Sequence, residues 1–136
     1  VSTTTRQRRR ILLVDDELHQ RDTVARGLRL QGYRCLPTRS AAEALAVLER
    51  EGSEAFDLLL TDLTMPGCSG AELIAQSLKR WPELGIVAIT GAAETAAAEC
   101  ARAYGIAVLE KPFDLDDLDR ALTRVLDGRR EGPARG

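Results

Sequence analysis

The chain has 136 residues, 44% of them hydrophobic and 29% charged, the balance of one globular domain with a full core rather than of a disordered or fibrous chain. A formal net charge of -2 argues neither for nucleic acid nor for anionic lipid as the main partner. No apolar run approaches the roughly 20 residues that span a bilayer, and no signal-peptide pattern is visible, so a cytoplasmic setting is expected.

Residues 1–10 read as a flexible tail, with Arg6, Arg8, Arg9 and Arg10 crowded before the first strand. Ile11 to Val14 is a buried-type strand that ends in Asp15-Asp16-Glu17. A helix follows from about Glu17 to Leu30, with Val24, Ala25 and Leu28 on one face and Gly32 just past its end. A helix dipole favours one acid at such a start; three in succession ask for a further reason. Tyr33 to Leu36 is a short strand, and Arg34 with Pro37 places it at a sheet edge. Ser40 and Glu43 form a capping box before a stripe of Ala41, Ala44, Leu45 and Leu48, closed by Gly52.

The stretch from Phe56 to Gly70 organises the rest. Leu58, Leu59 and Leu60 in series suit a strand covered on both faces, and the run stops at Asp62 before a loop with Pro66, Gly67 and Gly70. An unpaired carboxylate is too costly to be core filler. Asp62 therefore belongs at the strand's exit, where open α/β sheets hold their ligands. Gly70 to Arg80 is a third helix with Leu73, Ile74 and Leu78 inward, stopped by Pro82. Ile86 to Ile89 is a strand ending in Thr90-Gly91-Ala92. The helix after it is poor in large side chains (Ala96, Ala97, Ala98, Ala101, Ala103), which predicts a loosely held element ending at Gly105. Ile106 to Leu109 is a fifth strand, followed by Glu110-Lys111-Pro112. Asp114 caps a last helix with Leu115, Leu118, Leu122 and Val125 inward, finished by Gly128, and residues 129–136 read as a disordered tail. Cys35, Cys68 and Cys100 show no paired spacing and read as free thiols.

Five strands alternating with five helices predict a doubly wound, five-stranded parallel sheet of the flavodoxin-like class, one domain over residues 11–128. All strand C-termini of a parallel sheet share one edge, so Asp15, Asp16, Asp62, Thr90 and Lys111 converge there. With the order 2-1-3-4-5, the first and third strands are neighbours, and their three carboxylates meet. Like charges so placed repel unless a cation joins them, and an all-oxygen set suits Mg²⁺. A lysine and a hydroxyl beside one carboxylate suit attack by that carboxylate on phosphorus.

The segments Asp15-Asp16-Glu17, Asp62-Leu63-Thr64-Met65-Pro66-Gly67-Cys68-Ser69-Gly70, Thr90-Gly91-Ala92 and Lys111-Pro112-Phe113 closely resemble the receiver domain of two-component response regulators, over about residues 10–127. The wording looks most like receivers appended to hybrid histidine kinases. The resemblance implies the order 2-1-3-4-5 and a cis Lys111-Pro112 bond. It implies that Asp62 accepts a phosphoryl group from phosphohistidine on a sensor histidine kinase or its phosphotransfer domain. Asp16, Asp62 and the main-chain carbonyl of Thr64 would hold Mg²⁺, with Asp15 acting through a bound water. Thr90 and Lys111 would clasp the phosphoryl group, and a downstream output domain or protein would read the switch. The domain would be a phosphoacceptor rather than an enzyme of another substrate, without direct nucleic-acid or membrane binding; homodimers are compatible with it.

One departure stands out. Family members usually carry Tyr or Phe on the last strand where this chain has Val108, which puts the usual ring-based reporter in doubt. A haloacid dehalogenase-type phosphohydrolase would need a second acid where Thr64 stands, and a cap domain. A flavodoxin-like binding module would need a phosphate-cradling loop where Asp15-Asp16-Glu17 stands. A degenerate receiver would lack one of the five site residues.

Overall fold

The computed structural model describes residues 9–63, 70–92 and 95–135, with side chains described as far as residue 128. The strands are β1 (Arg10–Val14), β2 (Arg34–Thr38), β3 (Leu58–Asp62), β4 (Gly85–Thr90) and β5 (Ala107–Glu110). The helices are α1 (Leu18–Leu30), α2 (Ala41–Glu51), α3 (Gly70–Arg80), α4 (Ala96–Ala103) and α5 (Leu115–Arg135), with a 3₁₀ turn at Ser53–Ala55. The strands form one parallel sheet in the order β2-β1-β3-β4-β5, the predicted order.

Strand side chains alternate between two faces, and the core divides accordingly. Ile11, Leu13, Leu58, Leu60, Val87 and Ile89 pack with Val24, Ala25 and Leu28 of α1 and with Leu118, Leu122 and Leu126 of α5. Leu12, Val14, Leu59, Ile86 and Ala88 pack with α2, α3 and α4 on the opposite face. The central strand β3 is buried along its whole length, which explains why its sequence shows no polar alternation. The grip on α4 is slight: only Ala98 and Ala101 of that helix are buried, in line with its small side chains.

Helix starts follow the capping rules. Glu17 caps α1 through both carboxylate oxygens, Ser40 Oγ accepts from Glu43 N at 3.0 Å, and Thr95 Oγ1 accepts from Ala98 N. The Glu43 carboxylate reaches back to Arg39 N rather than to the Ser40 amide. Asp114 and Asp117 accept from each other's backbone N–H at the start of α5, a reciprocal cap built from two aspartates. In β2 the Arg34 amide donates to Arg9 O and Thr38 O accepts from Asp15 N. Residues 34, 36 and 38 thus face β1, and Pro37 faces the open edge, where its missing N–H costs nothing.

Two boundaries and one side chain differ from the sequence expectation. Arg9 and Arg10 belong to the folded unit rather than to a tail: the Arg9 guanidinium lies 3.3 Å from Asp57 Oδ1, and Arg10 N donates to Asp57 Oδ2 at 2.8 Å. The Arg10 guanidinium also covers the Phe56 ring at 4.7 Å. Helix α5 runs past Gly128 to Arg135. Gly128 is not among the glycines with positive φ (Gly32, Gly52 and Gly105), so it makes no left-handed cap; within a helix it costs about 1 kcal/mol, which the flanking turns tolerate. Leu115, expected inward, is 42% exposed, because it opens α5 ahead of the buried turns and lies over Gly27 of α1.

Candidate functional site

The sheet's C-terminal edge gathers most of the residues singled out above. β1 delivers Asp15 and β3 delivers Asp62, both buried, at 1% and 3% exposure. The two strands are hydrogen-bonded neighbours, with Val14 opposite Thr61, so the next residue of each emerges at one place. β4 ends in Thr90, fully buried, and β5 leads into Lys111, whose amide donates to Thr90 O at 2.8 Å. The Lys111-Pro112 bond is cis.

Lys111 Nζ lies 2.8 Å from Asp62 Oδ2, with the lysine partly buried and the aspartate almost wholly so. An ammonium against a buried carboxylate is the charge-assisted contact that makes burial of Asp62 tolerable. The pocket's second carboxylate belongs to Asp15, whose Oδ1 accepts from Glu17 N at 2.9 Å. Burial above all, and the Asp62 charge secondarily, push the Asp15 carboxyl above its ordinary value, against the lowering contacts from Glu17 N, Gln20 and Lys111. Two buried acids share one lysine.

The side chain between them is Gln20, in the first turn of α1. Its Nε2 donates to Asp62 Oδ2 at 2.9 Å and makes a short contact with Asp15 Oδ2. Arg21, the next residue, donates from Nη1 to Asp15 O at 2.9 Å. Neither residue stood out in the sequence, where both look like solvent-face positions. The available signal was geometric: helical side chains point toward the helix N-terminus, and α1 begins directly beyond the Asp15 loop.

The expectation of three converging carboxylates holds for two. Asp15 is buried, while Asp16, one residue further past the end of β1, is exposed. Among the described residues no three His, Cys, Asp or Glu side chains are gathered to hold a metal ion. The two buried carboxylates nevertheless fit Mg²⁺, which takes one or two carboxylates and keeps its waters. Thr64 lies outside the described residues. The Thr90 hydroxyl exchanges hydrogen bonds at 3.1 Å with the backbone N and O of Ala92, so it is held by its own loop. Val108 is half-buried and packs against the core on the α3–α4 face.

This arrangement has known counterparts. The family model described as the response regulator receiver domain matches residues 11–123. The response regulator receiver protein CpdR of Brucella abortus (strain 2308) is 37% identical over 119 residues, which cover 87% of this chain and 97% of CpdR. The DNA-binding transcriptional regulator NtrC of Escherichia coli (strain K12) is 33% identical over 126 residues, 92% of this chain and 26% of NtrC. The chain thus spans about a quarter of the length of that relative. A CheY-like response regulator receiver domain from Methanospirillum hungatei JF-1 superposes with a TM-score of 0.82 at 30% identity, over 91% of this chain and 98% of that one. A match that runs from β1 into α5, and through nearly all of CpdR, shows that this chain belongs to the receiver domain family of two-component response regulators.

Proposed function

We propose that the domain accepts a phosphoryl group on Asp62, from phosphohistidine on a sensor histidine kinase or its phosphotransfer domain, in a Mg²⁺-dependent reaction. The observation that carries this reading is the buried Asp62 carboxylate with Lys111 Nζ 2.8 Å away and Asp15 alongside, at the open edge of a receiver fold. A carboxylate oxygen of Asp62 attacks phosphorus as the P–N bond breaks, and that bond's electron pair returns to the imidazole ring. Lys111 passes from Asp62 to a phosphoryl oxygen, and the Thr90 hydroxyl leaves the Ala92 backbone for another. Asp16, Asp62 and the Thr64 carbonyl would hold the cation, with Asp15 acting through a bound water. When bound, Mg²⁺ supplies the positive charge that lets an anionic donor approach an acidic pocket.

In this reading the domain is a phosphoacceptor that acts in the cytoplasm on a downstream output domain or protein. Acetyl phosphate with Mg²⁺ should add the mass of one phosphoryl group to the wild type and none to Asp62→Asn, and EDTA should abolish the addition. Equal labelling of Asp62→Asn would overturn the assignment.

A further inference from the structure

Gln20 occupies the position between the two buried acids. A carboxamide nitrogen carries two donors, and here one carboxylate oxygen of Asp15 and one of Asp62 receive it. The opposite amide orientation would aim Oε1 at two anionic oxygens, so the donor-inward orientation is dictated by the neighbours. The side chain is held there by a closed ring of contacts. Glu17 N donates to Asp15 Oδ1 at 2.9 Å, Gln20 N donates to Glu17 Oε1 at 2.7 Å, and Gln20 Nε2 returns to Asp15 Oδ2. Lys111 and Gln20 together clasp one oxygen, Asp62 Oδ2.

We infer that Gln20 is a competitor of the cation: its amide cross-links Asp15 and Asp62 in the metal-free pocket and must withdraw before Mg²⁺, with the water it brings to Asp15, can be taken up there. The inference rests on the proposed Mg²⁺ dependence. An amide N–H₂ cannot ligate a metal, and a cation held by Asp62, with its bound water on Asp15, would need the space and the lone pairs the amide uses. A neutral donor satisfies hydrogen-bonding capacity without cancelling charge, so it holds the carboxylates together less strongly than a dication does. The pocket thereby stays assembled without metal, and the cation's apparent affinity is lowered by the work of displacing the amide. Withdrawal of Gln20 opens the ring at the start of α1, so metal occupancy is felt at that helix terminus.

The test is Mg²⁺ titration by calorimetry on the full chain without a phosphoryl donor. Gln20→Met keeps the side chain's length and removes both donors. It should bind Mg²⁺ at least three-fold more tightly than wild type, with a lower metal-free melting temperature and a gap to wild type that closes at saturating Mg²⁺. In ¹⁵N-labelled wild type the Gln20 side-chain amide pair, identified by its loss in Gln20→Met or Gln20→Asn, should shift on Mg²⁺ addition as its carboxylate bonds are released; this readout stands even if one variant fails to fold. Unchanged or weaker Mg²⁺ binding in the variant, or an amide pair that does not move, would overturn the inference while leaving the Mg²⁺ dependence intact. Failure of wild type itself to bind Mg²⁺ would overturn both.

Discussion

Gly70, the first residue of α3, lies against the backbone of Asp62: a Cβ at position 70 would stand 2.9 Å from the Asp62 carbonyl carbon and 3.0 Å from Leu63 Cα, and would be driven into the Asp62 carbonyl oxygen. The neighbours are main chain at the end of the buried central strand, so they cannot swing aside. Gly70→Ala must therefore move either α3 or the residue proposed to accept phosphorus. We expect a loss of about 2–3 kcal/mol, or a fall in melting temperature on the order of 10 °C. Labelling by acetyl phosphate should slow in the variant even at temperatures where circular dichroism shows it fully folded. A melting temperature within a degree or two of wild type would mean that α3 shifts freely.

The Asp15 carboxyl, raised chiefly by burial and then by Asp62, makes the metal-free fold sensitive to pH in an unusual direction. The folded state binds this proton more tightly than the unfolded chain does. The group's contribution is therefore most favourable at and below the unfolded value, 3.8, and is lost as pH rises through the raised folded value. Glu17 and Asp117, both lowered mainly by backbone N–H contacts, contribute oppositely and only near and below their ordinary values of 4.5 and 3.8. In EDTA, acidification from neutral pH toward the unfolded value of 3.8 should therefore stabilise wild type relative to Asp15→Asn. Saturating Mg²⁺, which prefers the ionised pocket, should reduce that difference. A wild-type melting curve no more pH-dependent than that of Asp15→Asn in EDTA would remove Asp15 as the source.

Val108, in place of an aromatic ring, has one dominant rotamer and no polar tip to swing between inside and outside. The weakly held element is α4, anchored by Ala98 and Ala101. The Thr90 hydroxyl already engages the loop that leads toward it, through Ala92. Hydrogen exchange with and without beryllofluoride, a phosphoryl mimic, should therefore change most between Thr90 and Gly105 and little around Val108. Changes centred on Val108 and α5 would show that another residue does the ring's work.

The three inner strands were readable because each is a short apolar run ended by a charge or hydroxyl, and burial on both faces leaves no other pattern. Their order followed from the resemblance rather than from periodicity, since nothing in Leu58-Leu59-Leu60 says which strand lies beside it. Within the site, sequence could not separate Asp15 from Asp16. Two adjacent acids look alike as residue types, and only the fold buries one and exposes the other. Gln20 escaped for a similar reason: a polar residue in the first turn of an amphipathic helix is ordinarily on the wet side. Gly128 misled in the other direction, because a glycine signals a helix end only when the chain uses its left-handed conformation.

Pro37 on the outer side of β2 has a consequence beyond its own strand. The sheet has two free borders. One is interrupted by a residue with no N–H to offer, with Arg34 exposed near its start; the other, β5, is only four residues long and runs into a glutamate and a lysine. Neither presents the long, flat, apolar ladder that recruits another chain by strand addition. Among the described residues, neither border therefore favours strand addition, whether to pair two copies or to seed a fibre.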